Sequence, residues 1–245
     1  MRLDQVLVER GLAPTRSRAQ AMIREGHICL DGRIVRKASI KADTDAQIVV
    51  SDAAHDYVSR AALKLAAALE AFSVDPEGCV CLDLGSSTGG FTDVLLRAGA
   101  ERVYAVDVGH DQLAERLRGD PRVISLEGTH AKDVDRTLVP DPLDLIVCDV
   151  SFISVTKALP PVLALAREDA RLITLLKPQF ELGREAIGKN GRVRPSLEEQ
   201  KDFLETHVVS AIADLGWRPR PMIESPILGG EGTTEFLLYA NKTPA

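Results

Sequence analysis

A short apolar run that ends in an acidic residue and a glycine-rich turn constrains the fold of this 245-residue chain more than any other stretch. The stretch reads Cys79-Val-Cys-Leu-Asp-Leu-Gly-Ser-Ser-Thr-Gly-Gly-Phe91. Its apolar residues predict a buried strand. Its glycines predict a turn where the backbone closely approaches a ligand before a helix begins at about Gly90. The other elements can therefore be placed relative to this turn.

Apolar strands and amphipathic helices alternate from residue 79 onward, which predicts a mainly parallel sheet with helices on both faces. The expected strands span 79–84, 102–108, 122–127, 144–149 and 171–177, and the expected helices span 90–98, 111–118, 156–167 and 196–215. Two last strands, 217–224 and 234–240, flank a glycine-rich loop and predict an antiparallel hairpin at one edge of the sheet.

A further helix, expected over 57–72, precedes the first strand of this sheet. The side chains that we expect to face its core are Leu63, Ala66, Ala67 and Leu69. This places Lys64 off the apolar stripe, where a lysine is normally solvated.

The first 50 residues predict a separate small α+β domain. Two helices, over 2–11 and 14–26, are followed by two strands around Asp31-Gly32, which is a strong hairpin signal. A third strand at 47–50 completes the unit. The expected boundaries are 1–50 for this domain, 51–59 for a polar linker and 60–245 for the larger domain.

The small domain is basic, although the whole chain carries a formal net charge of -6. Residues 1–41 hold nine Lys and Arg against four Asp and Glu, a local charge of +5, which leaves -11 for the remainder. Positive charge concentrated in one module favours a nucleic-acid partner for that module. On charge alone, the alternative that these side chains only solvate the surface stays open.

Composition argues against several other classes of protein. The apolar runs are much shorter than the roughly 20 residues of a membrane span, and the polar start lacks the apolar core of a signal peptide. We therefore expect a cytoplasmic protein. The cysteines show no C-x-x-C spacing, which argues against a zinc site and a disulfide framework, so no metal is expected. They are Cys29, Cys79, Cys81 and Cys148.

The glycine-rich turn suits a methyl-donor cofactor better than a dinucleotide. A dinucleotide loop reads G-x-G-x-x-G, and the turn from Gly85 to Gly90 lacks the second glycine at its required position. Asp83 would repel a diphosphate, but it suits the ammonium group of S-adenosylmethionine. Asp107, at the end of the next strand, is placed to accept hydrogen bonds from ribose hydroxyls, a feature that both cofactors share.

Ionisable residues also lie at the ends of later strands. Asp149 and Lys177 each follow a run of apolar residues, and Glu235 begins the last strand. Because ligands bind beyond the carboxyl ends of parallel strands, we expect these side chains to converge above the sheet. A structural salt bridge between Asp149 and Lys177 is one interpretation. The other is that Lys177, removed from water there, acts as a base.

The helix–helix–hairpin block resembles the S4 RNA-binding domain, first described in a small-subunit ribosomal protein. The matching residues are Leu3-Asp-Gln-Val-Leu7, Ser17-Arg-Ala-Gln20, Ile23-Arg-Glu-Gly26 and Leu30-Asp-Gly32. The resemblance implies a basic face that grips structured RNA through phosphates and shape. The candidate RNA-binding residues are Arg2, Arg16, Arg18, Arg24, Arg33, Arg36 and Lys37, together with Arg60 in the second domain.

Five motifs, in order along the chain, resemble the TlyA family, sometimes labelled haemolysin, which joins an S4-type domain to an FtsJ-like 2′-O-ribose methyltransferase. They are Asp83-Leu-Gly-Ser-Ser-Thr-Gly-Gly-Phe-Thr92, Cys148-Asp-Val-Ser-Phe-Ile-Ser154, Leu176-Lys-Pro-Gln-Phe-Glu181, Gly191-Arg-Val-Arg194 and Gly229-Gly-Glu-Gly-Thr-Thr-Glu235. The resemblance implies a Rossmann-like, S-adenosylmethionine-dependent methyltransferase domain behind the small RNA-binding domain.

The resemblance also implies the site residues. The family's catalytic set maps onto Lys64, Asp149, Lys177 and Glu235. Lys177 would be the base or the alkoxide stabiliser, oriented by Asp149. Lys64 would stabilise developing negative charge, and Glu235 would hold the lysines or the substrate. The implied cofactor-binding residues are Asp83, Gly85, Ser86, Thr88, Gly89, Gly90, Asp107, Val108, Thr129 and Asp149.

Two segments depart from the family pattern. Ala61-Ala62 stands where the family has Gly-Gly, which bears on contacts near Arg60. His130-Ala-Lys132 stands where the family has Asn-x-Arg, which bears on adenine-side contacts near Thr129.

The resemblance implies ribosomal RNA, or a ribosomal subunit, as partner and substrate. The short ends of the chain resemble the family type that acts only on the large subunit, which implies a cytidine of 23S rRNA as the target. Three alternatives remain on sequence alone: a NAD-dependent enzyme, a non-catalytic RNA-binding protein and a membrane-lysing haemolysin.

Overall fold

The computed structural model describes residues 1–13, 15–30, 33–43, 46–50, 57–188, 193–229 and 232–243. The chain forms two compact units, Met1–Asp56 and Tyr57–Ala245. Some predictions fall outside the described residues: those for the hairpin turn 31–32, the linker residues 51–56 and the motif residues 191–192 and 230–231.

The first unit packs two helices against a small antiparallel sheet. It contains α1 (Leu3–Glu9), α2 (Arg16–Glu25), β1 (Ile28–Leu30), β2 (Arg33–Val35) and β3 (Ile48–Val50). β1 lies between the other two strands. α2 begins after Thr15, whose side chain accepts a hydrogen bond from the backbone N–H of Arg18, and ends at Gly26 in a left-handed conformation. The fully buried core side chains include Leu3, Leu7, Ile23 and Ile28.

A buried carboxylate connects the two helices of this unit. Asp4 accepts hydrogen bonds from Arg2 Nε and Arg16 Nε, each at 3.0 Å, and from Gln20 Nε2 at 2.7 Å. The Arg2 guanidinium, helped by Gln20 and Arg16, holds the pKa of Asp4 well below its usual range. The charges of Arg2 and Arg16 therefore stabilise a buried carboxylate within the unit.

The second unit is built on one eight-stranded sheet. Its strands are β4 (Val80–Leu84), β5 (Arg102–Asp107), β6 (Val123–Glu127), β7 (Leu143–Cys148), β8 (Ala166–Leu176), β9 (Trp217–Pro219), β10 (Ile223–Glu224) and β11 (Phe236–Lys242). The order is β10-β11-β8-β7-β4-β5-β6, and β9 also pairs with β11. β4 to β8 are parallel, and β11 is antiparallel to β8. These pairings confirm the predicted α/β sheet with an antiparallel edge.

Helices cover both faces of this sheet. They are α3 (Ala62–Phe72), α4 (Gly90–Arg97), α5 (Glu115–Arg118), α6 (Val155–Leu163), α7 (Pro178–Glu181), α8 (Leu197–Phe203), the π-helical turn Leu204–Val209 and α9 (Ser210–Asp214). Alternate strand residues enter two separate cores: Cys81 packs with α3 and α4, whereas its neighbour Leu82 packs with α6 and α9. This is the period-2 pattern of a sheet buried on both sides.

The predicted buried face of the helix before β4 was wrong in part, although Ala66 and Leu69 do pack against the core. α3 begins at Ala62 rather than at residue 57, and the expected core side chains are only partly buried. The face that packs on the sheet consists of Ala62, Leu65, Ala68 and Phe72. Lys64 is also buried, with 6% of its surface exposed, because it finds a partner inside the unit.

Two other helices are shorter than predicted. α5 is a single turn, because the backbone N–H groups of Gln112 and Leu113 donate to the Glu127 carboxylate instead of continuing a helix. α6 ends at Leu163, because Ala166 already pairs with Leu143 as the first residue of β8. Tertiary partners override local helix propensity in both segments.

The described residues include no helix long and apolar enough to cross a membrane. Cys79, Cys81 and Cys148 are buried free thiols. Burial raises the pKa of Cys148 to about 12.

Candidate active site

The carboxyl ends of the parallel strands meet at one edge of the sheet, where the direction of winding changes. β5 and β6 lie on one side of β4, whereas β7 and β8 lie on the other. The loops that leave β4 and β7 therefore diverge and open a crevice between them. This switch point is where open α/β sheets bind their ligands.

The glycine-rich turn after β4 is fixed by contacts on both sides. Gly85 has a φ of +85°, and a Cβ there would lie 2.7 Å from the backbone oxygen of Asp149. On the other side, the Asp107 carboxylate accepts hydrogen bonds from the backbone N–H groups of Ser87 at 2.8 Å and Gly109 at 2.7 Å. Only glycine allows this close approach without strain.

A cavity of about 610 Å³ opens at the crevice. Its size lies in the range of roughly 300–1,000 Å³ that is typical of small-molecule sites. The predicted cofactor residues that line it are Gly85, Asp107, Val108, Thr129 and Asp149. A second cavity of about 190 Å³ shares Gly85 and Asp149 with the first. It is also lined by Ser86, Thr88, Gly90 and Lys177.

Two predicted cofactor residues line neither cavity. Gly89 has a φ of +93° and lies against the side chains of Leu113 and Leu117, which indicates a role in the turn itself. Asp83 is fully buried, and its Oδ2 atom accepts hydrogen bonds from the backbone and hydroxyl of Thr92.

The region around Asp83 retains polar atoms that lack protein partners. Within the described residues, neither Asp83 Oδ1 nor Ser86 Oγ has a hydrogen-bond partner, although both atoms are buried. Burial raises the pKa of Asp83 to about 7, against the opposing effect of the Thr92 hydrogen bonds. Unsatisfied buried acceptors are rare, so they suit a ligand that brings donors. The residues therefore fit a cofactor that carries an ammonium group and ribose hydroxyls.

The predicted catalytic residues form two buried ion pairs. Lys177 Nζ lies 2.6 Å from Asp149 Oδ1 and donates a hydrogen bond to Ser151 Oγ at 3.0 Å. Lys64 Nζ lies 2.5 Å from Glu235 Oε2. The four side chains are at most 14% exposed.

The strand register explains why the two pairs lie at the same edge. Phe236 pairs with Leu176 in the antiparallel ladder of β11 and β8, so Glu235 and Lys177 are the next positions on adjacent strands. Asp149 follows β7, the other neighbour of β8. The sequence predicted this convergence from the strand ends.

Sequence reasoning missed several residues of the crevice, among them two serines and a phenylalanine. Ser87 and Ser151 line both cavities, and Phe152 lines the larger one with 91% of its surface exposed. Ser151 and Phe152 lie in the motif that follows β7, which was the available signal. Their roles depend on loop geometry, which periodicity does not report.

The predicted RNA-binding residues of the first unit are mostly exposed. Arg2, Arg16, Arg24, Arg36 and Lys37 lie on its surface, and Arg18 is half-buried. Arg36 also donates a hydrogen bond to the backbone oxygen of Arg24. The side chain of Arg33 lies outside the described part of the chain, and the partly buried Arg60 belongs to the second unit.

Comparison with protein families assigns both units. Residues 57–242 match the FtsJ-like methyltransferase family, and residues 1–48 match the S4 domain. The methyltransferase match covers the whole crevice and all four residues of the two ion pairs. It removes the NAD-dependent alternative.

Two curated relatives are similar to this chain over most of its length. The chain is 42% identical over 239 residues to the 16S/23S rRNA (cytidine-2′-O)-methyltransferase TlyA of Mycobacterium tuberculosis, covering 97% of this chain and 88% of that protein. It is 39% identical over 185 residues to the 23S rRNA (cytidine-2′-O)-methyltransferase TlyA of Campylobacter jejuni, covering 75% of this chain and 70% of that protein.

A solved structure shows the same fold. A protein from Streptococcus thermophilus, named as a hemolysin, superposes with a TM-score of 0.77 at 37% identity, covering 100% of this chain and 89% of that one. The match to the Mycobacterium tuberculosis protein covers nearly the whole chain, and so both the S4 and the FtsJ-like regions. The chain therefore belongs to the TlyA family of S-adenosylmethionine-dependent rRNA methyltransferases.

Proposed function

We propose that the protein methylates the 2′-hydroxyl of a cytidine in 23S rRNA. The buried pair of Lys177 and Asp149 at the mouth of the crevice is the observation that carries this proposal. The choice of nucleotide and RNA follows the two curated relatives, whose names share cytidine and 23S rRNA. Only one of these names includes 16S rRNA. The experiment below therefore tests methylation of 16S rRNA separately from that of 23S rRNA.

The crevice residues would hold the cofactor by its polar groups. Asp107 would accept hydrogen bonds from the ribose hydroxyls. Asp83 and Ser86 would supply acceptors toward the ammonium end, because their free oxygen atoms are buried without partners in the described chain. Val108 and Thr129 line the larger cavity and would contact the adenine. When bound, S-adenosylmethionine supplies an electrophilic methyl group.

Lys177 would act directly on the 2′-oxygen. A lysine ammonium has three N–H donors. Ser151 Oγ accepts one of them, and the Asp149 carboxylate forms an ion pair with the same nitrogen, so the lysine is held from two sides. As a neutral amine, Lys177 would take the hydroxyl proton; as the ammonium, it would stabilise the developing alkoxide while the proton passes to solvent, and Asp149 holds it in place in either case.

Lys64 and Glu235 would complete the electrostatic surroundings. Lys64 places a second positive charge near the reacting oxygen, where negative charge develops. Glu235 holds Lys64 and neutralises it in the absence of substrate. Both side chains are nearly free of solvent, so their field is weakly screened.

The S4 domain would supply RNA affinity through its exposed basic residues. RNA is gripped there through phosphates, so single substitutions should weaken binding without changing the methylated position. Arg60 belongs to the second unit, between Ser59 and Ala61, which line the smaller cavity, and would contact RNA there.

Mapping of 2′-O-methyl groups tests the proposal. Purified 30S and 50S subunits from a strain that lacks the protein would be incubated with the enzyme and labelled S-adenosylmethionine. We expect label in one cytidine of 23S rRNA. Label in 16S rRNA as well would broaden the target. Labelling of neither RNA, with intact RNA binding, would contradict the proposal and favour a non-catalytic RNA-binding protein.

A further inference from the structure

The acidic residue that ends the motif after β8 has no part in the mechanism above. Glu181 is the last residue of α7 and lies four positions after Lys177. Its carboxylate accepts a hydrogen bond from Ser154 Oγ at 2.5 Å and another from the backbone N–H of Val155 at 2.9 Å. Ser154 is the N-cap of α6, and Val155 is its first residue. The ends of two family motifs, 148–154 and 176–181, therefore meet at this carboxylate.

The contacts of Glu181 with Ser154 and Val155 fix one end of a loop, and this loop carries Asp149 of the Lys177–Asp149 pair. Residues 149–154 connect β7 to α6, and Asp149 and Ser151 in this loop both contact Lys177. The backbone N–H of Asp149 anchors the start of the loop to Leu84 of β4. Glu181 anchors its other end. Since Lys177 and Glu181 belong to one short segment, that segment contacts the loop at both ends.

We infer that Glu181 is a positioning residue for methyl transfer. By binding Ser154 and Val155, it fixes Asp149 and Ser151 relative to Lys177. The inference rests on the proposed function, because it takes Lys177 as the group that acts on the 2′-oxygen. A misplacement of about 1 Å can lower a rate by roughly a hundredfold. Glu181 can therefore control the rate of methyl transfer without touching the reacting atoms.

A purely structural role as a helix cap is the competing explanation, and the chain offers a matched control. Ser196 is the N-cap of α8, and Glu199 accepts hydrogen bonds from its backbone N–H and its hydroxyl at 2.7 and 2.8 Å. Neither residue lines the two cavities of the crevice. Glu199→Ala therefore removes a similar Ser–Glu cap away from the reaction.

The test compares single-turnover rates at saturating RNA and S-adenosylmethionine. Glu181→Ala should lower the rate at least about tenfold while the cofactor Kd stays within about threefold. Glu181→Gln keeps an acceptor for Val155 and can donate to Ser154, so it should stay within about threefold of wild type, as should Glu199→Ala. A Glu181→Ala rate within about tenfold of wild type would overturn the inference. If this variant does not fold, Ser154→Ala replaces it under the same criterion.

Hydrogen exchange provides a readout that does not depend on activity. Amides of residues 149–155 should exchange faster in Glu181→Ala than in wild type, and should be unchanged in Glu199→Ala. Unchanged exchange in Glu181→Ala would overturn the positioning role. If the wild-type protein shows no methyl transfer, the proposed function is contradicted. The exchange measurement would still decide whether Glu181 holds the loop 149–154 in place.

Discussion

The Nζ atom of Lys64 lies 2.5 Å from Oε2 of Glu235, although 171 positions separate the two residues in the chain. Their side chains are 8% and 3% exposed. Each charge is therefore compensated mainly by the other rather than by water. Removal of one partner leaves a buried charge without compensation, which is more costly than the absence of the pair.

Lys64→Met should consequently lower the free energy of unfolding by about 3–5 kcal/mol, because Glu235 is left alone in the interior. The double variant Lys64→Met/Glu235→Leu should recover much of that loss, yet both variants should lack methyl transfer. Urea unfolding and a transfer assay measure the two effects. Lys201→Met is the control, since the Lys201–Glu224 pair is 43% and 50% exposed. It should cost less than about 1 kcal/mol. Normal transfer by Lys64→Met would refute a catalytic role for this lysine.

Lys177→Ala should abolish detectable transfer, a loss of about 10²–10⁴-fold or more. The reason is that its ammonium, held by Asp149 and Ser151, is the group proposed to act on the 2′-oxygen. Cofactor affinity, measured by calorimetry, should change by only a few fold, because Asp107, Val108 and Thr129 in the larger cavity remain and this cavity does not include Lys177. Normal turnover in this variant would contradict the assigned role.

The strand ends explain how much of this site was predictable. Asp149 and Lys177 follow runs of apolar residues, so their place at the edge of the sheet follows from local sequence alone. Lys64 behaves differently. Its helix repeats small apolar residues on several sides, and the buried face is chosen by packing against the sheet rather than by periodicity.

Lys64 is buried because Glu235, at the start of β11, compensates its charge. No local sequence pattern indicates a partner so distant in the chain. The family resemblance, not helical spacing, identified this lysine. Ser87 and Ser151 were not predicted as site residues, again because local sequence periodicity gives no signal for them. A serine in a loop has no periodic signal, and only the folded turn shows that the Ser87 backbone binds Asp107 and that the Ser151 hydroxyl binds Lys177.

Asp83 should make the cofactor-free protein less stable as the pH rises toward neutrality. Burial raises its pKa to about 7. The unfolded value is near 4, so the folded state binds more protons between about pH 4 and 7. The free energy of unfolding therefore falls as pH rises through this window, by at most about 1.4 kcal/mol per pH unit from this group.

Asp83→Asn removes the titrating group and should flatten this part of the stability profile. Urea unfolding of both proteins at several values between pH 4.5 and 7.5 measures the difference. The same variant should bind S-adenosylmethionine more weakly at pH 8, where the wild-type carboxylate is ionised. Parallel stability profiles for the two proteins would show that Asp83 is not the source of the pH dependence.

Gly85→Ala should damage both stability and cofactor binding. The left-handed φ of +85° alone costs a non-glycine residue about 1–2 kcal/mol. The added methyl group would also lie 2.7 Å from the backbone oxygen of Asp149, so the loops on the two sides of the crevice must move apart.

Gly78→Ala separates the two effects. Gly78 has a φ of +67°, but nothing lies within 4 Å of the position that its Cβ would occupy. It should therefore show the conformational cost without the clash, and should bind S-adenosylmethionine normally. Gly85→Ala should be the less stable of the two variants in urea and should bind the cofactor at least about tenfold more weakly. Equal stability and equal affinity in the two variants would mean that the contact between Gly85 and Asp149 does not set the width of the crevice.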